Sequence, residues 1–265
     1  MENILYLECY AGISGDMFVA SLLDLGVDEN YLRENLCTLP LTGYKINISR
    51  VKKMALDACN FNVVLDVDNH DHDMHYLYGK NETQHEQHHH HHHEHRGLQE
   101  IIDIINTSKI TAKAKDIAIK IFNIIAQAEA QAHGVDINEV HFHEVGAIDS
   151  IVDIVAAAVC IDKLNITKVI CPKLYEGRGL VHCQHGKMPI PVPAVVNIVI
   201  EHNLKLHYTD TYGELITPTG AAIVAGIKTD DNLPETFTIQ KIGIGAGKRK
   251  YDIPNVVRAM LISES

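Results

Sequence analysis

The stretch that most limits how this chain can fold runs from His141 to Ile161. Its first thirteen residues, His141-Phe142-His143-Glu144-Val145-Gly146-Ala147-Ile148-Asp149-Ser150-Ile151-Val152-Asp153, hold two imidazoles and three carboxylates, and an apolar run from Ile154 to Ile161 follows directly. A helix over about 149–164 with that composition has no wet face and must lie inside the molecule. Asp149 and Asp153, four residues apart, share one side of its first turns. Buried carboxylates need cations, hydrogen-bond donors or a proton, and no Lys or Arg occurs between Lys120 and Lys163. The segment cannot neutralise itself, and a divalent metal is an economical partner. Capping is the competing account. Asp149 can cap the helix, Ser150-Ile151-Val152-Asp153 has the spacing of a capping box, and acids are favoured at a helix start by the dipole. Capping leaves His141 and His143 unexplained, whereas clustered His and carboxylate side chains are usual ligands of borderline cations. The metal reading assigns His141, His143 and Asp153 as ligands, with Glu144 and Asp149 as the carboxylates that move protons.

At 265 residues the chain can bury a full core, as one large domain or two small ones. A formal charge of −11 argues against non-specific nucleic-acid binding and against an anionic membrane surface. No apolar run approaches the roughly 20 residues that span a bilayer. The six cysteines are scattered without a C-x-x-C pair, and no secretory leader is evident, so a cytoplasmic setting is expected.

Residues 3–9 read as a buried strand, followed by Gly12-Ile13-Ser14-Gly15-Asp16-Met17 and an amphipathic helix ended by Gly26. Strand, glycine loop and helix start form a geometry in which backbone N–H groups attract anions, through Gly12, Ser14 and Gly15. Asp16 is either a functional carboxylate or, with Ser14, a cap in a tight turn. A helix over about 28–37 and an antiparallel strand pair, 44–52 and 58–67, come next. From Asp66 to Arg96 the chain is polar and of low complexity, with Asp/His alternation and then His88, His89, His90, His91, His92 and His93 in a row. This segment is expected to be disordered and to hold nickel, zinc or copper loosely, as a reservoir and not as a catalytic centre.

Helices are predicted over about 97–106 and 111–132, the second with an apolar stripe through Ile117, Ile121, Ile124, Ile125 and Ala128. A short strand follows at 168–172. Over 177–195, Pro189, Pro191 and Pro193 predict an extended, stiff loop carrying His182 and His185, either as metal ligands or as surface histidines. A helix is expected over about 193–202. In Glu214-Leu215-Ile216-Thr217-Pro218-Thr219-Gly220, Thr217 is an N-cap and Pro218 the first helical residue. The N–H groups there, with Thr217, Thr219 and Gly220, receive either a phosphate or water. Gly243-Ile244-Gly245-Ala246-Gly247-Lys248-Arg249-Lys250 is either an anion cradle, through Gly245, Gly247, Lys248 and Arg249, or a glycine-bent hairpin with a basic tip. The chain closes with a strand from Asn255 to Ile262.

Taken in order, Gly12 to Met17, His141 to Ile154, Gly177 to Ala194, Glu214 to Ala222 and Gly243 to Arg258, with a His-rich insert after the first, resemble the LarC family. The resemblance implies insertion of nickel into pyridinium-3,5-bisthiocarboxylic acid mononucleotide, giving the nickel-pincer cofactor of lactate racemase. It further implies CTP with a divalent cation, bound by a C-terminal domain that this sequence lacks, so that a separate C-terminal LarC polypeptide is expected as a partner. The enzyme class expected is a CTP-dependent nickel-inserting lyase, a cyclometallase. An oligomer is expected as well.

Two other functions fit parts of the sequence. A His-rich nickel storage protein or metallochaperone would use the histidine tract alone. A metal-dependent hydrolase of a phosphorylated small molecule would use His141, His143, Glu144 and Asp149 around an ion. The fold class expected is α/β, with mixed parallel and antiparallel sheets and packed helices, interrupted by the insert. The expected division is an N-terminal α/β part, 1–67, the insert, 68–96, and a main part, 97–265, with the first and last able to share one core.

Overall fold

A computed structural model describes residues 3–66, 96–142, 148–183 and 186–264; of His141 it describes the backbone. In chain order the elements are β1 (Asn3–Glu8), α1 (Gly15–Asp24), α2 (Glu29–Leu36), β2 (Tyr44–Lys53) and β3 (Leu56–Leu65), then β4 (Arg96–Gly97), α3 (Leu98–Thr107), α4 (Ala112–His133) and β5 (His141–Phe142). There follow α5 (Ile148–Lys163), β6 (Ile166–Ile170), β7 (Leu174–Arg178), β8 (Leu180–Cys183), β9 (Gly186–Pro189), α6 (Pro193–Glu201), β10 (Leu206–Tyr212), α7 (Pro218–Ile227), β11 (Phe237–Ala246) and β12 (Val256–Glu264). The expected insert, with His88 to His93, lies outside the described residues.

The helix that the sequence placed inside the molecule is inside. From Ile151 to Ile161 every residue of α5 is buried but Asp153, which is half-buried. It packs on α1, α2, α4 and β3. Burial of each Val or Ile side chain there contributes about 1.5–3 kcal/mol, so this helix anchors the core. Residues of 3–66 and of 97–264 line that core together, from Leu5 and Phe18 to Val257 and Ala259.

Beneath the helices lies a mixed six-stranded sheet in the order β2-β3-β11-β12-β1-β6. The β2–β3 ladder is antiparallel, from Tyr44↔Leu65 to Lys53↔Leu56, as β-branched enrichment and the polar turn predict. β12 is antiparallel to both β11 and β1, and β1 runs parallel to β6. The smaller sheets pair β7 with β10 in parallel, β4 with β5 and β8 with β9.

One expectation is corrected here. The segment expected as a stiff loop forms an antiparallel hairpin, with His182 opposite Lys187 and Leu180 opposite Pro189. A two-stranded sheet has only edges, so Pro189 costs it no central ladder bond.

The glycines of β11 have a packing role. A Cβ on Gly245 would stand 1.9 Å from the Met17 carbonyl oxygen, and one on Gly243 2.1 Å from that of Ser21. Helix α1 therefore rests directly on the strand backbone. Gly245→Ala is expected to lower stability by more than about 2 kcal/mol, because the obstacle is backbone and cannot turn aside. Gly97→Ala, at a position with open space around it, should cost under about 1 kcal/mol. Thermal unfolding of the two variants checks the pair, and equal losses would contradict the contact.

Candidate functional site

The starts of three helices meet in one place. At Gly12 the backbone turns through a left-handed conformation, φ +75°. Ile13 N–H donates to the Leu215 carbonyl at 3.0 Å, and Thr217 N–H donates back to the Ile13 carbonyl at 3.1 Å. This splice sets the first turn of α1 beside that of α7. Thr217 caps α7 as its place before Pro218 predicts, accepting from Gly220 N–H at 3.1 Å. The approach is close enough to need glycine on both sides. A Cβ on Gly220 would lie 2.1 Å from the Ile13 oxygen; one on Gly15 would lie 2.8 Å from Asp153 Oδ2 and 3.0 Å from Thr219 Cγ2. Asp153 comes from the second turn of α5. Gly12, Ser14, Gly15, Asp16, Thr217, Thr219, Gly220 and Asp153 are thus brought together.

Asp153 does not cap its own helix. Because α5 begins at Ile148, Asp149 is its second residue and Asp153 its sixth, beyond the reach of a capping box. Its carboxylate instead accepts the backbone N–H of Asp16, at the start of α1. Ser14, the N-cap residue of α1, makes no side-chain cap bond. Its hydroxyl donates to Asp16 Oδ1, which also accepts Met17 N–H at 2.8 Å. One helix is therefore capped from another, and the anion attracted to these N–H groups is the protein's own carboxylate.

Burial, then the nearby Asp16 charge and the weaker one of Asp149, hold the Asp153 carboxyl well above the usual carboxylate range; Lys248 and the Asp16 N–H oppose them. Asp16 itself is only 8% exposed. Lys53, at the end of β2, has its pKa lowered by burial, with Asp16 pulling it back up. The acids of α1 and α5 thus find their cations on distant segments, Lys248 after β11 and Lys53 on β2. Among the described residues no group of three or more His, Cys, Asp or Glu side chains is arranged to hold a metal ion.

His143, Glu144, His185 and His88 to His93 lie outside the described residues. The backbone of His141 pairs with Gly97. His182 belongs to the β8–β9 hairpin. Arg249 is committed internally, through Nη1 to the Glu214 carbonyl at 2.7 Å and Nη2 to Glu214 Oε2 at 2.8 Å. Gly247, like Gly245, packs on Met17: its Cβ would lie 2.7 Å from the sulfur.

Glu176 is the residue that sequence reasoning missed. It sits on the inner face of β7, fully buried. Its Oε1 accepts three backbone N–H groups, from Gly177 at 2.7 Å, Leu215 at 2.8 Å and Ile216 at 3.3 Å. Oε2, also buried, has no partner among the described residues. Burial pushes the pKa from 4.5 up to about 7, against the pull of the three N–H groups, and Glu214 adds to the rise. An acid inside a short strand carries no mark of this in sequence. The available clue was Gly177, whose Cβ would stand 1.9 Å from the Gly213 oxygen.

The folded protein keeps the Glu176 proton to higher pH than the unfolded chain does. The stability that the neutral acid contributes is present below about pH 4.5 and is lost as pH rises through about 7. Glu176→Gln keeps an acceptor for the three N–H groups and carries no charge. It should gain on the wild type by up to about 3 kcal/mol between pH 4.5 and pH 8. Urea denaturation of both proteins across that range measures the difference, and parallel profiles would contradict the assignment.

No helix among the described residues is long and apolar enough to cross a membrane, and all six cysteines are free. No solved structure matches the chain. Curated proteins do. A pyridinium-3,5-bisthiocarboxylic acid mononucleotide nickel insertion protein of Alkaliphilus metalliredigens is 54% identical over 266 residues, covering 100% of this chain and 62% of its own length. Proteins of the same name from Acetivibrio thermocellus and Staphylococcus saprophyticus are 40% and 35% identical, each over 98% of this chain and 60% of their own length. The chain thus spans about three fifths of the length of these curated relatives. The family described as nickel insertion protein matches residues 5–265, and with relatives aligned over nearly the whole sequence, the chain belongs to that family.

Proposed function

We propose that this chain takes part in inserting nickel into pyridinium-3,5-bisthiocarboxylic acid mononucleotide, giving the nickel-pincer cofactor of lactate racemase. The observation that carries the reading is the match of nearly all of this chain to about three fifths of the length of relatives of that name. The reaction class is that of a CTP-dependent nickel-inserting lyase. A separate C-terminal LarC polypeptide supplies CTP and its divalent cation, and the working form is a cytoplasmic oligomer; six free cysteines suit that compartment.

The chemistry of the site supports the reading. Nickel is the cargo, delivered through His141, His143, His182 and His185 and stored on His88 to His93. Forming a nickel–carbon bond on the ring displaces a ring proton, which a carboxylate must accept. The Asp16–Asp153 pair suits that step, because Asp153 holds a proton more readily than an ordinary carboxylate. Glu144 and Asp149 precede Asp153 in sequence. The phosphate of the mononucleotide is received beside Ser14, Thr217, Thr219 and Lys248.

The test mixes the chain with nickel, the organic precursor, CTP and magnesium, with and without the C-terminal polypeptide, and reads nickel incorporation by mass spectrometry. Incorporation is expected only with both polypeptides. Asp153→Asn, which keeps an acceptor for Asp16 N–H, should slow insertion by about 100-fold or more while bound nickel is unchanged. His141→Ala and His143→Ala should reduce transfer more than total nickel bound. Release of phosphate from the precursor without nickel uptake would point to a hydrolase and end the proposal.

A further inference from the structure

The strand register at the carboxyl end of β1 lines up three aromatic side chains. Cys9 bridges Leu174 in parallel. Across the β7–β10 ladder, Leu174 faces Leu206 and Tyr175 faces His207. One residue further along, Tyr10, Tyr175 and His207 stand in a row on one face. Their ring centroids are 4.8 Å and 5.0 Å apart in turn, the spacing of adjacent strands.

This row is not core. Tyr10 is 55% exposed, Tyr175 is half-buried and His207 is exposed. Lys173 places its Nζ 5.4 Å from the Tyr175 ring centroid. Arg258, the other cation acting on Tyr10, is already paired with Glu8. The surface therefore offers the exposed ring of Tyr10, edged by the half-buried Tyr175 ring over which the Lys173 ammonium stands. Tyrosine faces attract flat rings, and attract them more when the ring is cationic. The compound in the relatives' name has a cationic pyridinium ring bearing two thiocarboxylic acid groups, joined to a ribose phosphate. Tyr10 also leads directly into the glycine loop. Ser14, at the start of α1, follows it by four positions, so their Cα atoms lie within about 14 Å of each other.

We propose that Tyr10 and Tyr175 form the seat of the pyridinium ring, with Lys173 facing the anionic groups on that ring. This rests on the functional reading above and names the residues that would recognise its substrate.

The probes are nicotinamide mononucleotide, a pyridinium mononucleotide, and its 1,4-dihydro form, which keeps the ribose phosphate but loses ring charge and aromaticity. Binding to the full chain is followed by saturation-transfer NMR and calorimetry. The charged form should bind about tenfold tighter than the reduced form. Tyr10→Leu should remove about that factor, Tyr10→Phe should keep most of it, and Tyr212→Leu, at an exposed tyrosine outside the row, should change nothing. Nicotinic acid mononucleotide, with a ring carboxylate, should bind tighter still, and Lys173→Gln should abolish that gain. Circular dichroism and unfolding temperature establish that each variant is folded. Absence of saturable binding, equal affinity for the charged and reduced rings, or loss in Tyr212→Leu equal to that in Tyr10→Leu would each overturn the seat. Equal affinity is also the outcome expected if the row is a protein-docking surface. No nickel or CTP enters this titration. Discriminating binding without nickel insertion keeps the seat and removes the functional reading; insertion with no discrimination does the reverse.

Discussion

The bond from the Asp16 N–H to the Asp153 carboxylate is the contact on which the arrangement turns. It requires Gly15 to have no side chain, α5 to approach α1 without a wet face, and a carboxylate to tolerate burial. The apolar run that makes α5 an interior helix is what carries Asp153 to that position. In turn, capping α1 from outside frees the Ser14 hydroxyl to engage Asp16. Two acids are thereby held together, and the Asp16 charge adds to the burial that raises the Asp153 pKa. Structure and chemistry share one location here: burial and the Asp16 charge raise the proton affinity of Asp153, while the N–H bond that orders the helix works against that rise.

Much of this was legible in the sequence. The interior helix, the Thr217–Pro218 helix start, the antiparallel pair and the glycine loop each announce themselves by a local pattern of period, cap or turn residue. What local pattern could not show is which segments meet. The cation-free interval around Asp153 makes a metal one economical partner, and the fold also brings Lys248 and Lys53 there from segments about 100 residues away in either direction. The glycines at 243, 245 and 247 suggested an anion cradle beside three cations, whereas their backbone lies against α1 and Arg249 is paired with Glu214. Glycine marks close approach, and sequence does not say of what.

The same limit explains the residues that were overlooked. Glu176 alternates with its neighbours as any strand residue would, and only the fold of 213–216 around it turns a carboxylate into a neutral acid near pH 7. Tyr10 and Tyr175 are 165 residues apart and become neighbours through one bridge between Cys9 and Leu174. A row of rings across strands is a property of register, and register is decided by tertiary pairing.

The six-stranded sheet has a seam. β3 and β11 are joined by a single register pair, Cys59↔Gly245, where their neighbours share long ladders. Asp24 spans the gap at the end of α1: one oxygen accepts Ile244 N–H from β11 at 2.8 Å and the other engages Arg50 from β2. An acid in the last turn of a helix opposes the dipole, and its position at the seam accounts for it. The β2–β3 hairpin, which carries Lys53 toward Asp16, is thus fastened at this line by charge on a partly exposed pair as well as by packing on α1. Dissolved salt screens the first kind of attachment and leaves the second intact, so ionic strength sets how firmly this hairpin, which carries one wall of the acid cluster, is held to the rest of the sheet.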